Sequence, residues 1–536
     1  MVIKIKKIRF KVKKDKVERW LKNTRPVFLA FEKILKKKPD IEIYLVGGAI
    51  RDLIMSGSPQ DLDFVVRKVE IEELEKLLAP LGKVNLVGRN FSVLKFIPKG
   101  WKFSHPVDLA LPRKDYALGT GAYRDFEVQS DPYLAIEEDL SRRDFTINAI
   151  ALPVIKQGKV FLKGDFFENI IDPFYGRKDI KNKLIRCVGD PEKRFQEDFS
   201  RMLRALRLSC QLGFGIEKKT FSILKKNISL LNKINRQVVL EKNASSASPK
   251  VIEQRVVPWE IIGEEFLKSF SYNPLKAFDL YDESGAFEQI VPELLKMKGC
   301  PQPKNWHSEG DVWQHTRLCL KNLDSTKFKR KFGANAVNPE LILAVLFHDI
   351  GKPYTIKKPP ETDRIRFNEH DIVGAKITKE ILERLKLFGF PDFPFNYKEV
   401  IWLVQHHMIL IQGDIPKMRS STIEKYFFNP VFRGDNLLKL SFVDILSTVP
   451  SRGKPDFSDF KAMEKRIEEI KKMSGSKGKR EKIPHILSGG EIMNRYKLKP
   501  GPKIGELKQL IRELQLKGKI RTKDQAYAFL DKLMKK

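Results

Sequence analysis

Ile43-Tyr44-Leu45-Val46-Gly47-Gly48-Ala49-Ile50-Arg51-Asp52, followed by Asp61-Leu62-Asp63, is the stretch that decides how the N-terminal part of this chain folds. The apolar run Ile43 to Val46 predicts a buried strand. Gly47 and Gly48 predict a tight turn that lets the backbone approach a ligand with no Cβ in the way. A short helix should follow, Ala49 to Met55, and backbone N–H groups at a helix start suit a triphosphate. Arg51 adds a charged fork for the same phosphates. Asp61 and Asp63 stand at i and i+2, and in a strand over Leu62 to Val66 that spacing sets both carboxylates on one face. Side-by-side carboxylates favour a cation between them, and Mg²⁺ is the natural one. Phosphates in front of two metal-holding aspartates form the layout for nucleotidyl transfer by two metal ions.

The full string resembles the signature of the polymerase-β-like nucleotidyltransferases, and within them the class II tRNA nucleotidyltransferase and bacterial poly(A) polymerase family. The resemblance implies an α/β head, a mixed sheet with helices, followed by all-α domains. It also implies ATP and CTP as substrates and a tRNA 3′ end as acceptor. Downstream runs extend it. Val107-Asp108-Leu109-Ala110-Leu111 reads as a strand whose only acid, Asp108, makes a third metal ligand; in the resembling family a strand acid stands here ahead of an arginine, here Arg113. Gly119 to Glu127 reads as a flexible loop. Leu140-Ser141-Arg142-Arg143-Asp144-Phe145-Thr146-Ile147-Asn148 sets four polar groups (Arg142, Arg143, Asp144, Asn148) among apolar ones. It matches the family's second motif, which implies phosphate contact for Arg143, a ribose contact for Asp144 and a place in the nucleotide site for Asn148.

Asp172-Pro173-Phe174-Tyr175-Gly176 is a turn that resembles the family's hinge. Asp190-Pro191 should then open one long helix carrying Glu197, Asp198, Arg201, Arg204 and Arg207. On a helix Asp198 and Arg201 lie about 60° apart, near enough to face one ligand together. An acceptor beside a donor can read the Watson–Crick edge of a base; a salt-bridged exposed helix is the plain alternative. The family's Glu-Asp-x-x-Arg motif implies base reading. Arg204 would reach phosphate, and Arg207 either joins the nucleotide site or pairs structurally. Residues 215 to 300 read as helices interrupted by a polar loop, Lys242 to Lys250.

A second constellation lies between residues 300 and 450, where six of the eight histidines fall between His307 and His407. His315, His348-Asp349, His370, His406 or His407, and Asp444 each fit a helix. Imidazole and carboxylate suit a divalent transition metal such as Mn, Ni, Co or Fe. Between the adjacent pair, His406 is taken as the ligand with His407 left open, since residues next to each other on a helix point about 100° apart and one of them should face away. The set resembles an HD-domain phosphohydrolase, in which Asp349 would also align a bridging water, and its lead-in resembles HD domains fused to bacterial CCA-adding enzymes. Lys352 is a candidate for substrate phosphate.

The bulk properties agree with an RNA-binding enzyme. Lysine plus arginine number 101 against 68 acids, a net charge of +33 over 536 residues, which favours a polyanionic partner over a membrane surface. No apolar run is long enough to span a bilayer, and the basic N-terminus, Met1 to Lys16, has no signal-peptide core. Cys187, Cys210, Cys300 and Cys319 lack zinc-ligand spacing and fit reduced thiols in a cytoplasmic protein. The expected domains are 1–170, the nucleotidyltransferase head; 171–299, a helical neck and body that recognises RNA and base; 300–450, the HD module; 451–482, a linker; and 483–536, a helical tail. The expected activity is template-independent addition of CCA to tRNA, with a second, HD-based hydrolysis of RNA-end phosphates such as cyclic or 2′-phosphates. The same motifs also serve A-adding-only enzymes and poly(A) polymerases. Two further alternatives are an HD hydrolase with an RNA-binding head and a non-catalytic RNA-binding protein.

Overall fold

A computed structural model describes residues 14–534 apart from 58, 60, 88–92, 104, 118–120, 122–125, 161–165, 241–248, 359–364, 389–393 and 474–483. It divides into two compact units, Met1–Tyr272 with Asp279–Gln289, and Asn273–Phe278 with Ile290–Lys536.

The first unit is built on a seven-stranded sheet. Its strands are β1 (Glu42–Val46), β2 (Asp63–Arg67), β3 (Gly82–Val87), β4 (Val93–Pro98) and β5 (Val107–Ala110). After a separate hairpin of β6 (Arg113–Ala117) and β7 (Phe126–Ser130) come β8 (Ala151–Lys156) and β9 (Lys159–Val160). The order is β3-β4-β5-β2-β1-β8-β9. Within this sheet β2 and β5 pair in parallel, with Asp63 opposite Asp108, and the other described pairings are antiparallel. Every residue of β1 is buried, as expected of a central strand covered on both faces. On one face Phe31 of the helix Lys14–Lys37 meets Phe64 edge-on, ring centroids 5.0 Å apart. On the other, Tyr44, Val46 and Val65 pack with Ile136 and Leu140 of the helix Ile136–Ser141. The mixed sheet with helices is the head architecture expected from the sequence.

Three expectations are corrected. The long helix after Asp190 is two helices, Pro191–Glu197 and Ser200–Leu212, broken at Asp198. There the backbone is extended, and the Asp198 carboxylate accepts from Ser200 N at 2.8 Å and Ser200 Oγ at 2.6 Å. A short polar side chain bonding nearby backbone competes with helix continuation. Residues 215–300 are not all helical: Ile234–Leu240 and Pro249–Arg255 form an antiparallel hairpin with Val238 opposite Val251. Their β-branched residues suit a pleated surface better than a helix. The stretch 451–482 holds a helix, Ser458–Met473, whose Phe460, Met463, Ile467 and Ile470 are buried at helical spacing. The basic start at 1–13, most of the loop 119–127, the centre of the Lys242–Lys250 loop and the Gly/Ser-rich 474–480 lie outside the described residues.

The second unit is helical, with two short strands, Ile356–Lys357 and Arg366–Phe367, paired beside its histidine cluster. Its tail, Leu487 to Leu530, closes a small core of its own. Among the described residues no helix is long and apolar enough to cross a membrane, and the four cysteines form no disulfide.

Candidate active sites

In the first unit the antiparallel pairing of β1 with β2 returns the chain so that the Gly47 turn lies beside Asp63. Gly47 has φ +71°, which a side chain rarely adopts. A Cβ there would stand 2.9 Å from Arg143 Nη1 and 4.0 Å from Asp63 Oδ2. Gly48 starts the helix Gly48–Ser56, one residue ahead of the expected start. Asp63, the first residue of β2, lies by the glycine turn and opposite Asp108 of the adjoining β5, and Asp61, just before β2, is near enough to act on its charge. Desolvation pushes the Asp63 carboxyl up to about 6, Asp108 and Asp61 add to the rise, and Arg143 and Lys95 oppose it. Solvent still reaches Asp63. A crowded, solvent-open acid set is the donor chemistry of a hard divalent cation.

The structure also shows what braces this cleft. Arg51 donates to Asp52 Oδ1 and, at 2.8 Å, to Asn148 Oδ1. Asn148 Nδ2 lies 3.3 Å from Asp144 Oδ1, and Asp144 Oδ2 takes two bonds from Arg204, at 2.9 and 2.8 Å. The four side chains form one relay from the glycine turn to the helix Ser200–Leu212. Asp144, expected at the ribose, is buried with both oxygens engaged, Oδ1 by Phe145 N and Oδ2 by Arg204. Burial alone would raise its pKa, but Arg204 holds it well below the ordinary carboxylate range. Arg204 pairs with Asp144 while its side chain stays 39% exposed. Arg207 pairs structurally, with Glu265 at 2.7 Å and Gln211 at 2.8 Å. Arg201 donates to Glu197 and to the Arg194 carbonyl. Because the helix breaks at Asp198, Asp198 and Arg201 do not share the helical face expected for them.

Two residues of this site escaped the sequence reading. Lys95 of β4 lies 3.1 Å from Asp108 Oδ1. Fully buried Asp139 holds Arg142 at 2.7 Å and Arg143 at 3.1 Å, and so aims Arg143. Asp139 was findable, since it precedes Arg143 by four residues at a helix end; Lys95 was not, because strand order is a tertiary fact.

In the second unit His315, His348, Asp349, His370, His407 and Asp444 come together and are mostly buried. Nδ1 of His348, His370 and His407 donates to the carbonyl three residues back, Val345, Phe367 and Val404, at 2.8, 2.8 and 2.7 Å. Each such bond fixes the tautomer and leaves Nε2 for a ligand. His348 Nε2 is buried without a hydrogen bond. The Nε2 atoms of His370 and His407 stand 3.2 Å apart, and 3.5 and 3.8 Å from Asp349 Oδ1. Burial, with His370 and His348 adding to it, pushes His407 down to about 3, and burial lowers His370 as well. Two neutral imidazoles facing one another with bare lone pairs fit a bound cation. Burial works against a charged His348, but Asp349 outweighs it and holds the group up at about 9. His315 lies 3.0 Å from Asp444 Oδ1 and 2.8 Å from Glu309 Oε1. Glu309, not among the expected site residues, therefore orients His315 through Nδ1.

His407, not His406, enters this cluster. The His406 ring packs against Trp402 and Tyr426, at 5.2 and 5.0 Å, on another face. Lys352 lies 2.7 Å from Asp349 Oδ2, donates to Gln302 at 2.9 Å and is buried, so it braces Asp349.

A family model described as the Poly A polymerase head domain matches residues 43–186, and one described as the HD domain matches residues 312–437. The multifunctional CCA protein of Aliivibrio salmonicida is 30% identical over 397 residues, 72% of this chain and 79% of that protein. Its namesake in Vibrio parahaemolyticus is 29% identical over 380 residues, 69% and 76% of the two. Among solved structures, the CCA-adding enzyme of Bacillus stearothermophilus in complex with CTP aligns at TM-score 0.58 and 19% identity, covering 96% of this chain and 98% of that one. The Thermotoga maritima CCA-adding enzyme complexed with tRNA aligns at TM-score 0.54 and 18% identity, covering 98% and 100%. At such identities these structures show a shared fold.

Proposed function

The chain belongs to the multifunctional CCA protein family, and from that premise we propose that it adds C and A nucleotides to the 3′ end of tRNA, from CTP and ATP and without a nucleic-acid template. The observation that carries the reading is the acid set Asp61, Asp63 and Asp108 beneath a glycine turn held open at Gly47 and faced by Arg143. The backbone N–H groups at Gly47 and Gly48 would take the triphosphate, with Arg143 held in place by Asp139. Asp61, Asp63 and Asp108 would hold two Mg²⁺ ions. When bound, these make the RNA 3′-hydroxyl more acidic and neutralise the departing pyrophosphate. Asp198 and Arg201 would choose the base, each from its own helix end. The Arg51–Asn148–Asp144–Arg204 relay would keep the turn and the base-reading helix in register. The basic surface would hold tRNA through phosphates and shape.

His315, His348, Asp349, His370, His407 and Asp444 would hold a divalent transition metal for hydrolysis of RNA-end phosphates, the activity suggested by an HD domain. The division into head, neck, HD module and tail given above, and a cytoplasmic location, belong to the same proposal.

The test uses three tRNAs, ending before CCA, after the first C and after CC, incubated with Mg²⁺ and with CTP and ATP singly and together. Extension of all three to CCA is expected. Addition of a single A only to the CC-ended tRNA would restrict the protein to A addition, and long A tracts would make it a poly(A) polymerase. No extension of any would refute the reading. His348→Ala should leave extension intact; its loss in a folded variant would contradict two independent centres.

A further inference from the structure

We propose that Cys319 is a ligand of the HD centre, a thiolate that biases this site towards softer ions such as zinc or cobalt over manganese or magnesium. The inference rests on reading the histidine cluster as a metal centre. Cys319 follows His315 by four residues on the helix Val312–Asn322, so both side chains leave the same face. Its Sγ lies 3.4 Å from His315 Nε2. One ligand atom from each of His315, Cys319, His348 and Asp444 falls within 4.8 Å of all the others, and all four residues are buried. The second sign is His348 Nε2, which is fully buried, lies 4.0 Å from Asp444 Oδ1 in this group, and makes no hydrogen bond of good geometry, its nearest acid being Asp349 Oδ2 at 3.3 Å. A buried cysteine ordinarily behaves as a small hydrophobe. Here its sulfur instead faces an imidazole nitrogen and a carboxylate-bearing pocket, which is the donor set of a borderline ion. Asp349, His370 and His407 form a separate group without sulfur, so the centre is asymmetric. On binding, the Sγ–H bond breaks, its proton leaves to solvent and an Sγ–metal bond forms.

The experiment loads the full-length, chelator-stripped protein with Co²⁺ and records its absorption. Oxygen ligands in the head cannot give a sulfur-to-cobalt charge-transfer band, and Cys187, Cys210 and Cys300 lie outside the ligand group. The expected result is such a band, absent from Cys319→Ser, while the weaker visible bands persist in that variant and vanish in His348→Ala. Outer-shell changes cost about 10–100-fold in metal affinity, so removing a ligand should lower the zinc-over-manganese preference at least that much. His348-dependent cobalt binding without a thiolate band, or with a band that survives Cys319→Ser, would overturn the assignment and leave the metal centre standing. Absence of any His348-dependent binding would overturn both. Should Cys319→Ser fail to fold, X-ray absorption on the zinc-loaded wild type decides: one sulfur at about 2.3 Å supports the ligand, and a shell of nitrogen and oxygen alone refutes it.

Discussion

Asp63→Asn should abolish nucleotide addition and at the same time stabilise the metal-free protein. The carboxyl sits with Asp108 opposite it on the parallel strand and Asp61 two residues before it. Desolvation, reinforced by those two acids, lifts its pKa from 3.8 to about 6. For an acid raised in the folded state, the proton is held more tightly folded than unfolded. The stability linked to that proton is fully present below about 4, declines as pH rises and is gone above about 6. A rise from 3.8 to about 6 corresponds to at most about 3 kcal/mol of lost stability at neutral pH. Solvent reaches Asp63, and screening reduces this to about 1 kcal/mol. Asn keeps the shape and removes the charge, so the variant should unfold about 2–4 °C higher at pH 7.5 without Mg²⁺. The gain should shrink towards pH 4 and also when saturating Mg²⁺ is added, since the wild type alone recovers by binding it. Thermal unfolding of both proteins at pH 4.5 and 7.5, with and without Mg²⁺, measures this. A variant less stable than wild type at pH 7.5, or a difference indifferent to pH and Mg²⁺, would refute the view that Asp61, Asp63 and Asp108 are a mutually repelling, cation-seeking set.

Gly47→Ala forces a φ of +71° on a residue with a Cβ and pushes that atom within 2.9 Å of Arg143 Nη1; displacing a positioning group by about 1 Å can cost about 100-fold, so extension should fall by one to two orders of magnitude in a protein with unchanged circular dichroism. His407→Ala should cut the metal bound per chain, measured by elemental analysis, whereas His406→Ala should leave it unchanged; the opposite pattern would restore the adjacent histidine. Arg204→Met strands the buried Asp144 carboxylate and should cost about 2–3 kcal/mol at pH 7, at the low side for a broken buried pair because Arg204 is 39% exposed. Asp144 is depressed in the wild type, so its contribution is present above about 4 and is lost as pH falls through lower values. The gap between Arg204→Met and wild type in urea unfolding should therefore narrow below pH 4, and a gap that widens there would contradict the ion pair.

How much of this was legible beforehand depended on whether a residue's role is local. The Gly-Gly turn, the strand before it and the acids after it are neighbours in the chain, and the resemblance of that whole string, more than any one part of it, pointed to Gly47, Asp61 and Asp63 as one site. Asp108 needed one further inference, that its strand joins the sheet beside β2, and the register of Asp63 with Asp108 bears this out. Asp144 and Arg204 show where such reasoning stops. The resemblance implies ligand contacts for both, and the local partners of Asp144, Phe145 N and Asn148, engage only its Oδ1. The partner that satisfies Asp144 is sixty residues away along the chain, a contact made only by tertiary packing.

The adjacent histidines make the same point at the scale of one helical step. His406 ends the helix Tyr397–His406 and His407 follows it, still in helical conformation. About 100° therefore separates them, and exactly one of the two can face any given neighbour. The sequence supplies both imidazoles but not the direction in which the rest of the unit lies. That direction is set by apolar packing: Val400, Leu403 and Val404 are buried on this helix, while Trp402 stacks on Phe432 at 5.4 Å on a different side. His407 stands four residues after Leu403 and three after Val404, on the buried stripe, while His406 stands four after Trp402 and joins the aromatic side. Read as a stripe first and as ligands second, the segment would have favoured His407, because in a buried metal centre the ligands must share the face that the hydrophobic residues turn inward.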